Sequence, residues 1–362
     1  MKIAIDCRMS GKSGIGTFLD EILPFFFTSD HSFFLFGSKE SPACNLAKSS
    51  DSENITFSDC QVKTFSLKEM FAFPKDILAQ INSCDLYFSP YCNLPQGIKV
   101  PVFTTIHDIV FLDVKGLTGS LGKAARKFFY KRAVKKSAGI FTVSQFSSQR
   151  IKEKLNCKKD ITVVYNGIPS YLQDKGSKIP WDKKDNTVIF IGNIKKHKGL
   201  KTLLKAFPLF CSKAAVSAPD SCPKLIIVGS QDNFRTKDDS LSDLIADIPQ
   251  NQLEFTGFIS NQKLKELLSS AKLLVQPSLY EGFGIPPLQA LCAGTPAVIS
   301  DIDVFKEIYG GLPVSFFKCQ DYQDLAEKMN ESWNNEKNFS EFENPYSYQK
   351  TASLILDRLC RK

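Results

Sequence analysis

The chain has 362 residues, with 46 Lys/Arg against 38 Asp/Glu and a formal net charge of +8. That length is too great for one ordinary core and implies two domains, while 43% hydrophobic and 23% charged residues exclude a disordered chain. No apolar stretch approaches the roughly 20 residues of a membrane span, Asp6 comes too early for a signal peptide, and eleven scattered Cys without a C-x-x-C pair argue against a disulfide framework or zinc site and for a reducing cytosol.

In chain order, short apolar runs at 2–5, 33–36, 86–88, 102–106, 140–143 and 161–164 predict buried strands. Helical patterns lie among them at 16–26, 122–137 and 147–155, and the alternation predicts a parallel α/β sheet. The 30 Phe, with the run Phe25-Phe26-Phe27, suggest large buried faces. Residues 37–60 are polar and Ser-rich and read as a surface loop. Residues 169–187 mix Pro, Gly and charge without periodicity and read as an interdomain linker. The second half repeats the grammar, with strands at 188–191, 225–228, 253–255, 273–276 and 297–299. Its helices fall at 200–211, 261–269 and 287–292, the last closed by Gly294. Two doubly wound α/β domains follow, and the cleft between them is the expected ligand site.

Charge is uneven. Residues 1–177 carry 23 basic against 16 acidic side chains, residues 178–362 carry 23 against 22. Residues 115–136 explain the difference, with eight cations, Lys123, Arg126, Lys127 and Lys131 among them, and no acid. Phe128, Phe129 and Tyr130 are bunched beside them instead of spread as a base-stacking platform, so nucleic acid is not the expected partner. A basic, aromatic helix suits an anionic membrane surface or a lipid-phosphate acceptor; a solvated basic face is the plain alternative.

Four motifs carry possible chemistry. The loop Gly11-Lys12-Ser13-Gly14-Ile15-Gly16 follows the first strand and opens a helix, where glycines let backbone N–H groups approach an anion. Its G-x-x-G-x-G spacing is not a dinucleotide fingerprint, and a tight turn explains it equally well. His107, one of three histidines, falls at a strand's carboxyl end, where reactive groups gather. In Gly192-Asn193-Ile194-Lys195-Lys196-His197-Lys198-Gly199 a glycine and lysines beside a helix start suit a phosphate, with the three lysines blurring which one acts. The sharpest run is residues 277–290, PSLYEGFGIPPLQA. Gly282 and Gly284 there free backbone N–H groups around Phe283, Glu281 is a carboxylate suited to sugar hydroxyls, and Gln289 follows inside the helix.

Taken together, these motifs resemble the retaining glycosyltransferases of family 4, of the GT-B type. The resemblance runs through SGIGTF (13–18), TTIHDIVF (104–111), FTVSQFSSQRI (141–151), VVYNGI (163–168), FIGNIKKHKGL (190–200) and residues 276–298. It implies an α/β, GT-B fold of two Rossmann-like domains facing a central cleft. An acceptor domain would span 1–175, a nucleotide-sugar domain 176–345, and a C-terminal helix within 346–362 would cross back to the first. It also implies that the residue matching Glu281 contacts the donor sugar, the one matching Lys198 holds the diphosphate, and the one matching His107 lies over the sugar. The same resemblance assigns Gly14, Gly16, Gly192, Asn193, Gly282, Phe283, Gly284 and Gln289 to donor binding. Two positions depart from the family: Gln289 stands where a second glutamate usually grips the ribose, and Asn193 where an arginine often stands.

The expected activity is retaining transfer of a hexose from a nucleoside-diphosphate sugar to a saccharide, lipid-linked acceptor in surface-polysaccharide assembly, on the inner face of the cell membrane. The GNIKKHKG variant leans towards mannose-type donors. No cofactor or metal is expected, since Asp301-Ile302-Asp303 follows a second-domain strand outside the fold in which D-x-D binds metal. The departures at Gln289 and Asn193 keep a catalytically weak scaffold paralogue open, and the two-domain plan keeps a sugar-nucleotide epimerase open.

Overall fold

A computed structural model describes residues 1–50, 52–173, 178–217, 222–229, 239–335 and 342–361. It divides into two compact units, Met1–Gly167 with Tyr346–Lys362, and Ile168–Pro345.

Among the described residues the first unit holds seven parallel strands: β1 (Lys2–Asp6), β2 (Ser32–Gly37), β3 (Ile55–Asp59), β4 (Leu86–Ser89), β5 (Val102–Thr105), β6 (Gly139–Thr142) and β7 (Ile161–Val163). They lie in the order β3-β2-β1-β4-β5-β6-β7. Burial on both faces explains why central strands such as Phe33-Phe34-Leu35-Phe36 are apolar without alternation. The helix Ser13–Phe27 buries Phe18, Leu19, Ile22, Leu23 and Phe26 at helical spacing. The C-terminal helix Tyr348–Cys360 belongs to this unit and packs on Ser13–Phe27. Its seating explains Gly167, where a Cβ would fall 2.2 Å from the Tyr348 backbone nitrogen.

Residues 37–60 are not a loop. They hold the helix Pro42–Ser49, capped by the Ser41 hydroxyl accepting from the Cys44 N–H, and the edge strand β3. An edge strand is half exposed and carries polar residues, so its composition reads as loop. The stretch 169–187 likewise holds single helical turns at Ser170–Leu172 and Trp181–Lys183 and the start of a strand at Asp185.

The second unit has six parallel strands among its described residues: β8 (Asp185–Ile191), β9 (Lys224–Val228), β10 (Leu253–Gly257), β11 (Ala271–Gln276), β12 (Ala297–Ser300) and β13 (Val314–Phe317). Their order is β10-β9-β8-β11-β12-β13. Helices Leu200–Ser217 and Tyr322–Trp333 pack together on one face of the sheet. In each sheet the chain reverses its direction of strand addition once, at β1/β4 and at β8/β11. The crevice beyond the carboxyl ends at such a reversal is where α/β folds bind ligands.

At the β1/β4 reversal stands a buried ion cluster. The Arg8 guanidinium donates to Asp6 Oδ1 (2.9 Å) and Oδ2 (2.5 Å), to Glu69 Oε1 (2.7 Å) and to the Tyr91 hydroxyl (2.6 Å). All four side chains are essentially inaccessible. Burial raises Glu69 above the ordinary carboxylate range, and Arg8 opposes the rise. One cation thus holds two carboxylates that water no longer screens. Arg8→Met should therefore cost about 3–5 kcal/mol at neutral pH, because it leaves both carboxylates buried and unpaired. A carboxylate with a raised folded-state pKa favours folding at low pH and loses that contribution as pH rises through the raised value. Acidification from neutrality towards the ordinary carboxylate range should accordingly restore part of the variant's stability. Chemical denaturation across that range measures both effects.

Candidate active site

The second unit's reversal gathers the chemistry. β8 ends at Ile191 and runs through Gly192 and the exposed Asn193 into a single turn, Lys196–Lys198. β11 ends at Gln276 and runs through Ser278 to Glu281. The two loops are stitched together: the Leu279 N–H donates to the His197 carbonyl at 2.7 Å. At Gly199 (φ +70°) a Cβ would fall 1.7 Å from the Pro277 carbonyl oxygen, so only glycine lets the backbones pass.

The stitch brings Lys198 to Glu281. The ammonium donates to both carboxylate oxygens, at 2.7 and 2.8 Å, with Glu281 only 8% exposed. Ser278 Oγ donates to Glu281 Oε1 at 2.7 Å, and Gln276 Nε2 donates to Ser278 Oγ at 3.0 Å. Glu281 is thereby held from behind by Ser278 and met from the front by Lys198. Lys195 and Lys196 are exposed, whereas Lys198 runs along the open side of Gly192, whose missing Cβ would lie 3.7 Å from the lysine stem. Ser278 and Gln276 were missed by sequence reasoning. The only signal for them was their place within the same motif.

Beyond Glu281, Phe283 is buried, and Gly284 takes the left-handed backbone (φ +80°) that starts the helix Ile285–Cys292. A Cβ on Gly284 would meet the Phe305 ring at 2.3 Å. The helix start offers an anion less than its position suggests. Pro286 and Pro287 have no N–H, and the Leu288 N–H is directed to the Tyr309 hydroxyl at 3.2 Å. Positive charge at this site therefore comes from Lys198 more than from the helix end. Gln289 is buried on the next turn, and its Nε2 donates to the Tyr171 hydroxyl at 2.7 Å.

In the first unit the Gly11–Gly16 loop is tied down. Asp20 accepts from the Gly11 N–H at 2.8 Å and from Ser10 Oγ at 2.5 Å. A Cβ on Gly16 would lie 2.3 Å from the Met9 carbonyl oxygen, which makes close packing a sufficient reason for that glycine; Gly14 faces open space. His107 follows β5, half-buried, edge-on to Phe18 with ring centroids 5.0 Å apart. Its Nε2 lies 2.9 Å from the Pro90 carbonyl oxygen. A carbonyl only accepts, so Nε2 carries the proton and Nδ1 the lone pair. Burial pulls the His107 pKa down to about 4. His197 is also lowered to about 4, by burial and then by the Lys198 charge, and its buried Nδ1 has no hydrogen-bond partner.

Lys123, Lys127 and Lys131 lie exposed on the helix Ser120–Lys136, while Arg126 sits over the Phe111 ring at 3.9 Å. Asp301 accepts from the Cys319 N–H, and the described residues contain no His/Cys/Asp/Glu group arranged to hold a metal ion.

Two doubly wound parallel sheets in succession, with the chain's end helix returning to the first, define the GT-B class. The solved structure of the HepE protein of Anabaena, in complex with UDP and glucose, shares this fold. It aligns over 99% of this chain and 95% of its own with a TM-score of 0.66 at 16% identity. The model for glycosyl transferases group 1 matches residues 173–349 and that for glycosyltransferase family 4 matches residues 65–170. The chain belongs to the family 4 glycosyltransferases of GT-B fold. An uncharacterized glycosyltransferase of Methanocaldococcus jannaschii is 30% identical over 230 residues, 60% of this chain and 55% of the relative. The O-antigen chain mannosyltransferase of Salmonella typhimurium is 30% identical over 225 residues, 59% of each. The chain thus matches a little over half the length of these curated relatives.

Both imidazoles should be neutral at physiological pH. Nitrogen-resolved NMR of the rings should show His107 as the Nε2–H tautomer, with neither ring titrating between pH 8 and about 5. Because both pKa values fall from 6.5 to about 4, their contribution to stability is present above 6.5 and lost as the pH drops towards 4. A His107 that titrates near 6.5 would contradict this geometry.

Proposed function

We propose that this protein transfers a hexose, mannose by the leaning of its relatives, from a nucleoside-diphosphate sugar to a saccharide, lipid-linked acceptor, with retention of configuration and without a metal. The observation that carries the proposal is the Lys198–Glu281 pair at the β8/β11 reversal, its carboxylate buried and its ammonium partly so, on two loops that a glycine lets cross. A mannosyltransferase relative and a fold neighbour holding UDP and glucose support the donor class.

The pair is matched to a sugar diphosphate in both signs of charge. A buried charge is costly unless partnered. Lysine and glutamate satisfy each other. A sugar diphosphate offers each a better match: phosphate oxygens for the ammonium, hydroxyl donors for the carboxylate. As the glycosidic bond breaks, charge builds on the departing diphosphate, and Lys198 stabilises it in a site already shielded from water. Glu281 keeps its bond from Ser278 and orients the sugar. His107, neutral with its Nδ1 lone pair uncommitted to Pro90, is suited to accept from a sugar hydroxyl. Gln289 hydrogen-bonds the ribose, sharing that task with Tyr171. Gly192, Asn193, Gly282, Phe283 and Gly284 shape the donor's floor, and Gly14 and Gly16 let backbone N–H groups on the first unit's own loop approach it.

The helix Ser120–Lys136 supports the reading of acceptor and location. No helix among the described residues is long and apolar enough to cross a membrane. Exposed Lys123, Lys127 and Lys131 with Arg126 favour an anionic membrane surface on the cytoplasmic side, with about 1 kcal/mol per cation near such a surface.

Two experiments test the reading. Lys198→Ala should weaken nucleoside-diphosphate binding by tenfold or more in calorimetry, since a charge-assisted bond in a buried site is worth about 1.5–3 kcal/mol. Glu281→Ala should abolish transfer while diphosphate binding persists. Unchanged affinity in the lysine variant, or full turnover in the glutamate variant, would remove the pair from the site. For location, Lys123, Arg126, Lys127 and Lys131 replaced together by Glu should end co-sedimentation with anionic vesicles. Wild-type binding should fall steeply with salt, because the attraction is screened within ~8–10 Å.

A further inference from the structure

The described residues contain ten exposed large hydrophobic side chains, and five of them come from two short stretches of the first unit. Phe65, Leu67 and Phe71 are 56%, 70% and 72% exposed; Leu121 and Phe128 on the helix Ser120–Lys136 are 87% and 58% exposed. Phe73 and Ile77, just beyond the first, share one core cluster with Ala133 of that helix, so both segments lie on the same side of the first sheet.

Residues 63–71 are also held, not hanging. Glu69, on the turn of helix Leu67–Phe71, sends Oε1 to Arg8 and the Tyr91 hydroxyl and accepts the Phe65 N–H on Oε2 at 2.9 Å. That bond keeps Phe65 in the left-handed region at φ +58°, where a bulky residue is strained. The Ser66 hydroxyl caps the turn by accepting from the Glu69 N–H at 3.2 Å. A buried ion cluster therefore fixes a loop whose Leu67 and Phe71 point their apolar surface outward, instead of letting it collapse on the core. A fixed apolar knob of this kind is expected where it will be covered.

Charge decides what covers it. Lys63 and Lys68 are exposed between the apolar residues, and the only acid of the stretch, Glu69, is buried against Arg8. On the helix, Lys123, Lys127 and Lys131 flank Leu121 and Phe128. Apolar side chains ringed by cations suit the headgroup boundary of an anionic lipid surface, where the cations meet phosphates and the apolar tips reach the acyl boundary. We infer that the loop Lys63–Phe71 is a second lipid-contacting element of the first unit, inserting Leu67 and Phe71 on the same side of the first sheet as the helix and held in position by Arg8 and Glu69. This deepens the membrane part of the function proposed above and rests on it only for the role of the helix.

The test is co-sedimentation of the full chain with phosphatidylcholine vesicles, with and without phosphatidylglycerol, at low and high salt. Leu67→Ser with Phe71→Ser should lower partition by roughly tenfold and remove what binding survives high salt, since burial of apolar surface is not screened. The four-fold Glu variant of the helix should instead lose the salt-sensitive part. Thermal unfolding of the serine variant should match wild type, because the replaced side chains are exposed. Unchanged partition of that variant at both salts overturns the inference. So does a wild-type chain that self-associates without lipid and becomes monomeric in the serine variant with its partition unaltered, which would make the patch a contact between copies. Loss of binding only in the helix variant leaves the helix standing and sinks the loop; loss only in the serine variant does the reverse. Calorimetry with UDP and GDP on the wild type judges the transferase reading separately.

Discussion

A charge taken out of water must find its partner inside the protein. Both reversal points of this fold obey that constraint, in different ways. In the second unit Lys198 and Glu281 satisfy each other one-to-one, so the pair carries no net charge. In the first unit a single Arg8 serves Asp6 and Glu69, with Tyr87 and Tyr91 donating to the carboxylates. That cluster has no member to spare. It fastens the start of the first unit, whereas the Lys198–Glu281 pair joins two loops of the second.

The fastening has a consequence for shape. Glu69 lies 61 residues from Arg8 in the chain, yet the bond between them fixes the turn at Leu67–Phe71 against the end of β1. The turn is short and polar in its backbone needs, and alone it would not keep a defined form. With its carboxylate locked, the exposed apolar side chains around it become a permanent feature of the surface.

Glycine does related work in the second unit. At Gly199 the Pro277 carbonyl oxygen occupies the space a side chain would need. At Gly229 (φ +157°) a Cβ would fall 2.2 Å from the Gly192 carbonyl oxygen. These contacts let three loops converge where ordinary residues would hold them apart. The lysine and the carboxylate, 83 positions apart, meet because of that convergence.

Much of this was legible in the chain. Apolar runs of strand length separated by helical spacing imply parallel sheets, because only burial on both faces removes the alternation. The glycines and the lone carboxylate of residues 277–290 stood out from the apolar runs around them, and the structure gives Gly284 a packing reason against Phe305. Composition misled at 37–60, where an edge strand is polar because one side faces water. Which lysine of 195, 196 and 198 turns inward was not decidable from spacing, since all three follow the same glycine within one turn; the crossing of two loops decided it. The protonated nitrogen of His107 depends on a carbonyl 17 residues away. The Arg8–Glu69 bond joins residues that no local period relates. The sequence by itself determined which segments must be buried and where the backbone needs glycine, because those are local demands on solvent and sterics. Only the tertiary structure decided which charges meet, because that depends on distances between loops brought together from far apart in the chain.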